Sequence, residues 1–168
     1  VKYLKLDLSA EAGSRFISGK STTKALVLQP IDSFIIEFKS TMVLDSVYIN
    51  GVKKAFTRSA DHIYVALSPA LQAGTTVTAV FYYYGTASSN AVYAGTVGSN
   101  GLTYTATLSE SFQAREWFPV KQSLSDKIDS ADIWVKTSSI NKVGSNGLLV
   151  AVVDSPNNKK QYQWKTRY

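Results

Sequence analysis

The sequence predicts an all-β protein, built as a β-sandwich or a saddle-like arrangement of packed, mostly antiparallel sheets. Three observations predict it. Apolar and polar residues alternate with period two along most of the chain, as where Leu4, Leu6 and Leu8 point one way and Lys5 and Asp7 the other. No window of about 11 residues or more sustains the i, i+3, i+4, i+7 spacing of an amphipathic helix. Runs of β-branched and aromatic residues recur about every 8–12 residues, with turn signals between them, as in sandwiches and paired sheets.

The elements follow in order. Tyr3 to Leu8 form the first strand, and Phe34, Ile36 and Phe38 alternate with Ile35, Glu37 and Lys39 in another. Val47 and Ile49 lead into Asn50-Gly51, two residues that tolerate the positive φ of a type I′ hairpin turn. Ile63, Val65 and Leu67 form the next strand, Pro69 to Gly74 a loop, and Val77 to Tyr84 a long β-branched and aromatic strand. The stretch Thr86 to Gly101, rich in Ser, Ala, Gly and Asn, reads as a long surface loop with room for a function. Tyr104, Ala106 and Leu108 alternate with Thr103, Thr105 and Thr107. Later strands are expected at Ile133 to Thr137, Leu148 to Val153 and Gln161 to Thr166, the last two separated by the turn Asp154-Ser155-Pro156-Asn157-Asn158. The string Val-Gly-Ser-Asn-Gly-Leu occurs at 97–102 and again at 143–148, which predicts one turn chemistry used in both places rather than a domain repeat.

Composition narrows the function classes. The 168 residues suffice for one domain with a real core. The only methionine is Met42, and the chain stops at Tyr168 in what reads as mid-strand, so residues 1–168 are expected to be a single domain excised from a larger protein. No apolar run approaches the roughly 20 residues of a membrane span, and no signal peptide is visible. There is no Cys, which excludes disulfides and thiolate chemistry, and the single His62 excludes a site with several imidazoles. Net charge is +6 and the pI about 9.4. Lys and Arg are scattered singly or in pairs such as Lys53-Lys54, so solvated strand faces are expected and a nucleic-acid partner is not.

One segment, Thr107 to Lys127, carries a pattern. Thr107-Leu-Ser-Glu110-Ser-Phe-Gln-Ala114-Arg115-Glu-Trp-Phe118-Pro119 has an acidic residue five positions before the Arg of Ala-Arg, then an aromatic-Pro pair, then a polar stretch with Lys127. This resembles the N-terminal domain of the aminopeptidase N and leukotriene hydrolase family of zinc metallopeptidases. Other pieces resemble that family in the same order: the opening strand, Asp45 to Gly51, Leu67 to Gly74 followed by Tyr84-Gly85, Ser145-Asn146-Gly147-Leu148, and Trp164-Lys165-Thr166. After Phe118-Pro119 the family carries a small residue and an Asp, whereas this chain has Val120-Lys121-Gln122-Ser123-Leu124.

The resemblance implies a parent enzyme that is a zinc-dependent aminopeptidase, with peptide N-termini as substrates and its catalytic domain following in the same chain. By itself Glu110 reads as a solvated Glu at a strand end. The resemblance makes it the substrate-binding residue, an acidic anchor for the substrate α-amine. A carboxylate suits that role, because at about 4 Å and an effective dielectric near 20 the pair attracts by about 4 kcal/mol before desolvation. It also sets the position of the scissile bond. Arg115 is expected in structural hydrogen bonds or an ion pair at the domain junction, and Phe118 and Pro119 as a structural strand-or-turn device. Trp117, Trp134 and Trp164 are expected in the core or at the junction. The family's zinc is held by His-Glu-x-x-His and a downstream Glu. This chain has no such motif, so no catalytic or metal-ligating residue is expected in it, zinc belongs to the parent only, and the chain alone should be inactive. His62 reads as a surface or half-buried strand residue. The compartment stays open, with a periplasmic or secreted setting favoured over a cytoplasmic one. A different class is also compatible with the residues: a carbohydrate-binding module presenting the Tyr82 to Tyr84 strand and Tyr93, or an adhesion-type sandwich.

Overall fold

The computed structural model describes every residue except Ser111, Leu124 and Tyr168. The end of the last strand at Tyr168 and two positions of the Thr107 to Lys127 segment therefore lie outside the described residues. Among the described residues thirteen strands follow one another: β1 (Tyr3–Ala10), β2 (Phe16–Leu26), β3 (Ile31–Glu37), β4 (Val43–Ile49), β5 (Val52–Lys54), β6 (Thr57–Ser59), β7 (His62–Leu71), β8 (Thr76–Thr86), β9 (Val92–Val97), β10 (Leu102–Thr107), β11 (Ser130–Ser138), β12 (Leu148–Ser155) and β13 (Lys159–Arg167). Among the described residues the only helical element is a 3₁₀ turn at Ala114–Glu116. The all-β expectation holds.

The strands form an eight-stranded sheet in the order β12-β13-β11-β1-β2-β8-β4-β5, a three-stranded sheet β3-β7-β6 and a two-stranded hairpin β9-β10. All pairs are antiparallel except β1 with β11. The core lies between the inner face of the large sheet and the three-stranded sheet. Phe34 meets Phe81 with ring centroids 6.2 Å apart, and Phe38 meets Tyr83 edge-on at 5.3 Å. Burying one such side chain contributes roughly 1.5–3 kcal/mol, so these cross-sheet contacts hold the two layers together. The period-two reading explains the division: Leu4, Leu6, Leu8, Phe34, Ile36, Phe38, Ile63, Val65 and Leu67 are all buried. The Asn50-Gly51 turn has φ of 49° and 81°, as type I′ requires.

Three local expectations change, and one strand is present that the sequence did not announce. Thr86 to Gly101 is not a loop, because Val92–Val97 pairs with Leu102–Thr107 as a hairpin, and Ala87, Ala91 and Val92 are buried. Its small residues allow close approach; at Gly95 a side-chain carbon would sit 3.3 Å from the ring of Tyr104 across the ladder. Pro69 does not start a loop either, since β7 continues to Leu71 and the turn is confined to 72–75. The repeated hexapeptide adopts two conformations. In the first copy Gly98 and Gly101 have φ of 70° and 71° and close the β9-β10 hairpin, whereas in the second only Gly147 is left-handed, at 92°, within the β11-to-β12 connection. Finally, β2 carries no apolar alternation that would announce it. Its buried positions include Ser21 and Thr23, and at Gly19 a side-chain carbon would lie 2.2 Å from the carbonyl oxygen of Asp7. The centre of the large sheet leaves space there only for small side chains.

Glu11, just beyond β1, ties the far end of the sheet together. One carboxylate oxygen accepts from the Ser138 N–H at 3.1 Å, the Thr137 hydroxyl at 3.2 Å and the Asn141 amide at 3.2 Å, and the other lies 3.2 Å from Lys159 Nζ. Burial works to raise the Glu11 pKa, but the bonds from Ser138, Lys159 and Thr137 outweigh it and the net shift is downward. A depressed carboxylate pKa contributes stability above the unfolded value of about 4.3, and the contribution is lost as pH falls through the folded value. Melting temperature should therefore drop as the pH is lowered below about 4.3, and Glu11→Gln should show a shallower drop over the same window. Melting curves by circular dichroism across that window test this; parallel curves for the two proteins would show that Glu11 does not supply the acid sensitivity.

Candidate functional site

The segment from Leu108 to Ile128 leaves the β9-β10 hairpin and returns the chain to β11. It lies across the inner side of the molecule and is fastened to both main sheets. On the small sheet, Val120 forms an antiparallel bridge with Glu37: the Glu37 N–H donates to Val120 O at 2.9 Å and the Val120 N–H to Glu37 O at 3.0 Å. The Lys39 N–H donates to Arg115 O at 2.9 Å. The segment thus pairs with the free edge of β3. On the large sheet, the Ser21 hydroxyl donates to Pro119 O at 3.2 Å. A proline suits this position, where its carbonyl is used and its missing N–H costs nothing.

Side chains complete the attachment. Arg115 donates to Glu37 Oε2 at 2.6 Å, and the Arg115 backbone N–H donates to Gln122 Oε1 at 3.0 Å. The hydrogen bond from Arg115 to Glu37, acting against its own burial, raises the guanidinium pKa further. Glu116 is buried, with Lys39 Nζ at 3.4 Å and Arg115 Nε at 3.9 Å. Lys39 also reaches Asp61 at 3.5 Å. Trp117 and Phe118 pack edge-on at 4.5 Å, both buried, and Trp117 Nε1 donates to Ser109 Oγ at 3.0 Å. The sequence named Arg115, Phe118 and Pro119 but not their partners Glu37, Lys39, Glu116, Gln122 and Ser21. An alternating strand gives Glu37 and Lys39 no distinguishing mark; only the return of the chain past β3 selects them.

Glu110 is placed differently. It is exposed, past the end of β10, and its backbone oxygen accepts from the Gln113 N–H at 3.3 Å. Among the described residues its carboxylate enters no ion pair, whereas Glu116 and Asp126, the other acidic side chains of the segment, are both paired. Glu110 lines a cleft of ≈ 880 Å³ whose floor is Leu4, Leu6, Ile133 and Val135 of the large sheet, with Trp117 and Phe118 at its side. A free carboxylate at the rim of a largely apolar cleft can attract an ammonium group and hold it by charge and hydrogen bonding. A second depression of ≈ 770 Å³ is lined by Lys121, Gln122, Asp126, Lys127 and Ile128 of the same segment.

The remaining candidates do not converge. His62 is exposed on β7, 6.3 Å from the Tyr64 ring. Trp134 and Trp164 are half-buried on β11 and β13. Tyr83 is in the core, Tyr82 and Tyr84 face outward from β8, and Tyr93 belongs to the hairpin, a different sheet, so these tyrosines share no common platform. Among the described residues no three His, Cys, Asp or Glu side chains gather as metal donors. With one His and no Cys, the donors of this chain do not fit a zinc centre of the family type.

The Arg115–Glu37 pair is about two-thirds to four-fifths shielded from solvent, with side-chain exposures of 33% and 21%. It should therefore exceed an ordinary surface pair: a double-mutant cycle with Arg115→Met and Glu37→Gln is expected to give a coupling of roughly 1–2 kcal/mol in denaturant unfolding. A coupling indistinguishable from zero would mean that the backbone bridge alone holds the segment.

No protein-family profile matches the chain, and no curated protein does. Solved structures do. The M1 zinc metallopeptidase of Deinococcus radiodurans aligns over 99% of this chain and 38% of its own, at 22% identity and a TM-score of 0.84. A mutant of the same enzyme with a bound Tyr-Ser-Ala substrate aligns over 99% and 39%, at 20% identity and 0.84. A two-domain M1 zinc metallopeptidase mutant bound to L-arginine gives 99%, 39%, 20% and 0.84. The chain spans about two fifths of the length of these relatives. It has, over nearly its whole length, the fold of one part of an M1 zinc metallopeptidase.

Proposed function

We propose that the chain is the N-terminal domain of a zinc metallo-aminopeptidase and that Glu110 supplies the acidic anchor for the substrate α-amine. The observation that carries this reading is a carboxylate with no ion-pair partner among the described residues, lining a cleft on a fold shared with M1 zinc metallopeptidases. One of those relatives binds a tripeptide substrate, which has the free α-amine the anchor would receive. In this reading the catalytic domain of the same polypeptide closes the open side of the cleft, and the zinc and the hydrolytic groups belong to that domain. The segment's fastening to two sheets then has a mechanical purpose. A carboxylate that selects and positions substrate must be held to within a fraction of an ångström, and rigid anchoring lowers the entropic cost of placing the scissile bond. In this reading Arg115, Phe118 and Pro119 have a structural part, holding the segment, with Phe118 also forming part of the cleft wall.

The test uses the full-length protein. Glu110→Ala should lower kcat/KM on substrates with a free α-amine by roughly a hundredfold or more, as expected for loss of a charge-assisted contact worth about 3–4 kcal/mol, while the melting temperature stays within about 2 °C of the parent, as for an exposed substitution. An unchanged kcat/KM would remove Glu110 from the site.

The 168-residue chain alone should release no residues from aminoacyl substrates, with or without added zinc. Metal-dependent release by the isolated chain would mean that it carries catalytic groups of its own.

A further inference from the structure

The large sheet has a second face, opposite the core, and it is not neutral. Lysines that lie scattered in the sequence collect on it. Register places Lys24 beside Tyr3, Lys20 beside Asp7 and Tyr82, Lys5 beside Asp132, Lys165 beside Asp132, Lys136 beside Ser9, and Lys53 beside Tyr48. Residues directly opposite one another share a face, so these lysines from β1, β2, β5, β11 and β13 all project to one side. None of the six enters an ion pair among the described residues. On β1, β2, β11 and β13 the same face carries only two carboxylates, Asp7 and Asp132, and Asp132 is already paired with Arg167 at 2.6 Å. Burial, with Lys20 and Lys165 nearby, lowers the Lys5 pKa against the pull of Asp7 and Asp132, so these ammoniums sense one another.

Aromatic rings lie among the lysines. Lys5 Nζ sits 3.0 Å from the Trp134 ring centroid, Lys24 Nζ 5.7 Å from Tyr3 and Lys20 Nζ 6.0 Å from Tyr82. At one border, the edge strand β12 adds Leu148 and Val153 to the same face, exposed by 75% and 47%.

We propose that this face seats the protein peripherally on an anionic lipid surface. Charge complementarity commits it to an anion, and its layout selects a lipid plane over a polyanionic chain. With strands about 4.8 Å apart and same-face residues about 6.8 Å apart along a strand, the lysines from β13 to β2 cover an area about 15 by 20 Å rather than a line, and Lys53 on β5 lies about 14 Å beyond it. Three of the rings are capped by ammonium groups, which removes them as stacking platforms for bases. Lysine, Trp and Tyr beside a few exposed aliphatic side chains are the residue types that favour a headgroup interface. This inference is independent of the aminopeptidase reading.

Flotation of the chain with phosphatidylcholine vesicles, with and without about one third phosphatidylglycerol, tests it. Binding is expected to the anionic vesicles only, and to weaken at least tenfold as salt shortens the screening length from about 10 Å to about 3 Å. Lys24→Gln with Lys165→Gln should weaken it about thirtyfold, the loss expected for two lysines at an anionic surface. Lys54→Gln with Lys160→Gln makes the same change in net charge on the inner face and should leave binding within about twofold. Absence of binding, equal binding to neutral vesicles, or equal losses in the two paired variants would each overturn the proposal. So would tight capture by a single-stranded oligonucleotide or poly-glutamate without lipid binding, which would give the face to that polyanion.

Discussion

The parallel pairing of β1 with β11 is the constraint on which the rest of the structure depends. Antiparallel neighbours can be joined by a two-residue turn, but parallel neighbours require a crossover from one end of the sheet to the other. Here the crossover comprises everything between Ala10 and Ser130. It supplies the far half of the large sheet, the small sheet that covers it, the β9-β10 hairpin, and finally the Leu108 to Ile128 segment. That last stretch has to travel back to the start of β11, next to β1. Its route over the inner face is therefore set by topology, and so is the position of Glu110 at its beginning.

Fastening follows from that route. A returning segment without regular structure leaves backbone groups to be satisfied, and the free edge of β3 offers them partners at Glu37 and Lys39. The Arg115–Glu37 pair, the buried Glu116 with Lys39, and the Ser21 bond to Pro119 add charge and shape to the same junction. Small residues on β2 are the counterpart. Ser21 faces Pro119, to whose carbonyl its hydroxyl donates, and Gly19 lies against the Asp7 carbonyl of β1, so both positions take small residues.

The two faces of the large sheet divide the functional possibilities. The inner face is apolar and continues past the covered core to Ile133 and Val135, forming the cleft floor. The outer face is basic, with three of its six lysines lying over aromatic rings. Period-two alternation produces both at once, because each apolar residue turned inward turns its neighbour outward. The net charge of the chain is thus unevenly spread, and a composition that excludes a basic stripe along the sequence does not exclude a basic patch across strands.

The sequence by itself determined the fold class, most strands, the Asn50-Gly51 turn and the segment worth attention. These depend on local alternation, on the φ preferences of single residues and on one spaced pattern, all of which survive in one dimension. It did not determine β2, the hairpin within Thr86 to Gly101, the two conformations of the repeated hexapeptide, the partners of Arg115 or the lysine face. Each of these depends on which distant strands become neighbours. Ser21 and Gly19 are small because other chain segments press on them, Glu37 is engaged because Arg115 arrives from 78 positions away, and Lys5, Lys20 and Lys165 meet because β13, β11, β1 and β2 lie side by side. Register across a sheet is a property of the assembled chain, and only the tertiary structure decided it.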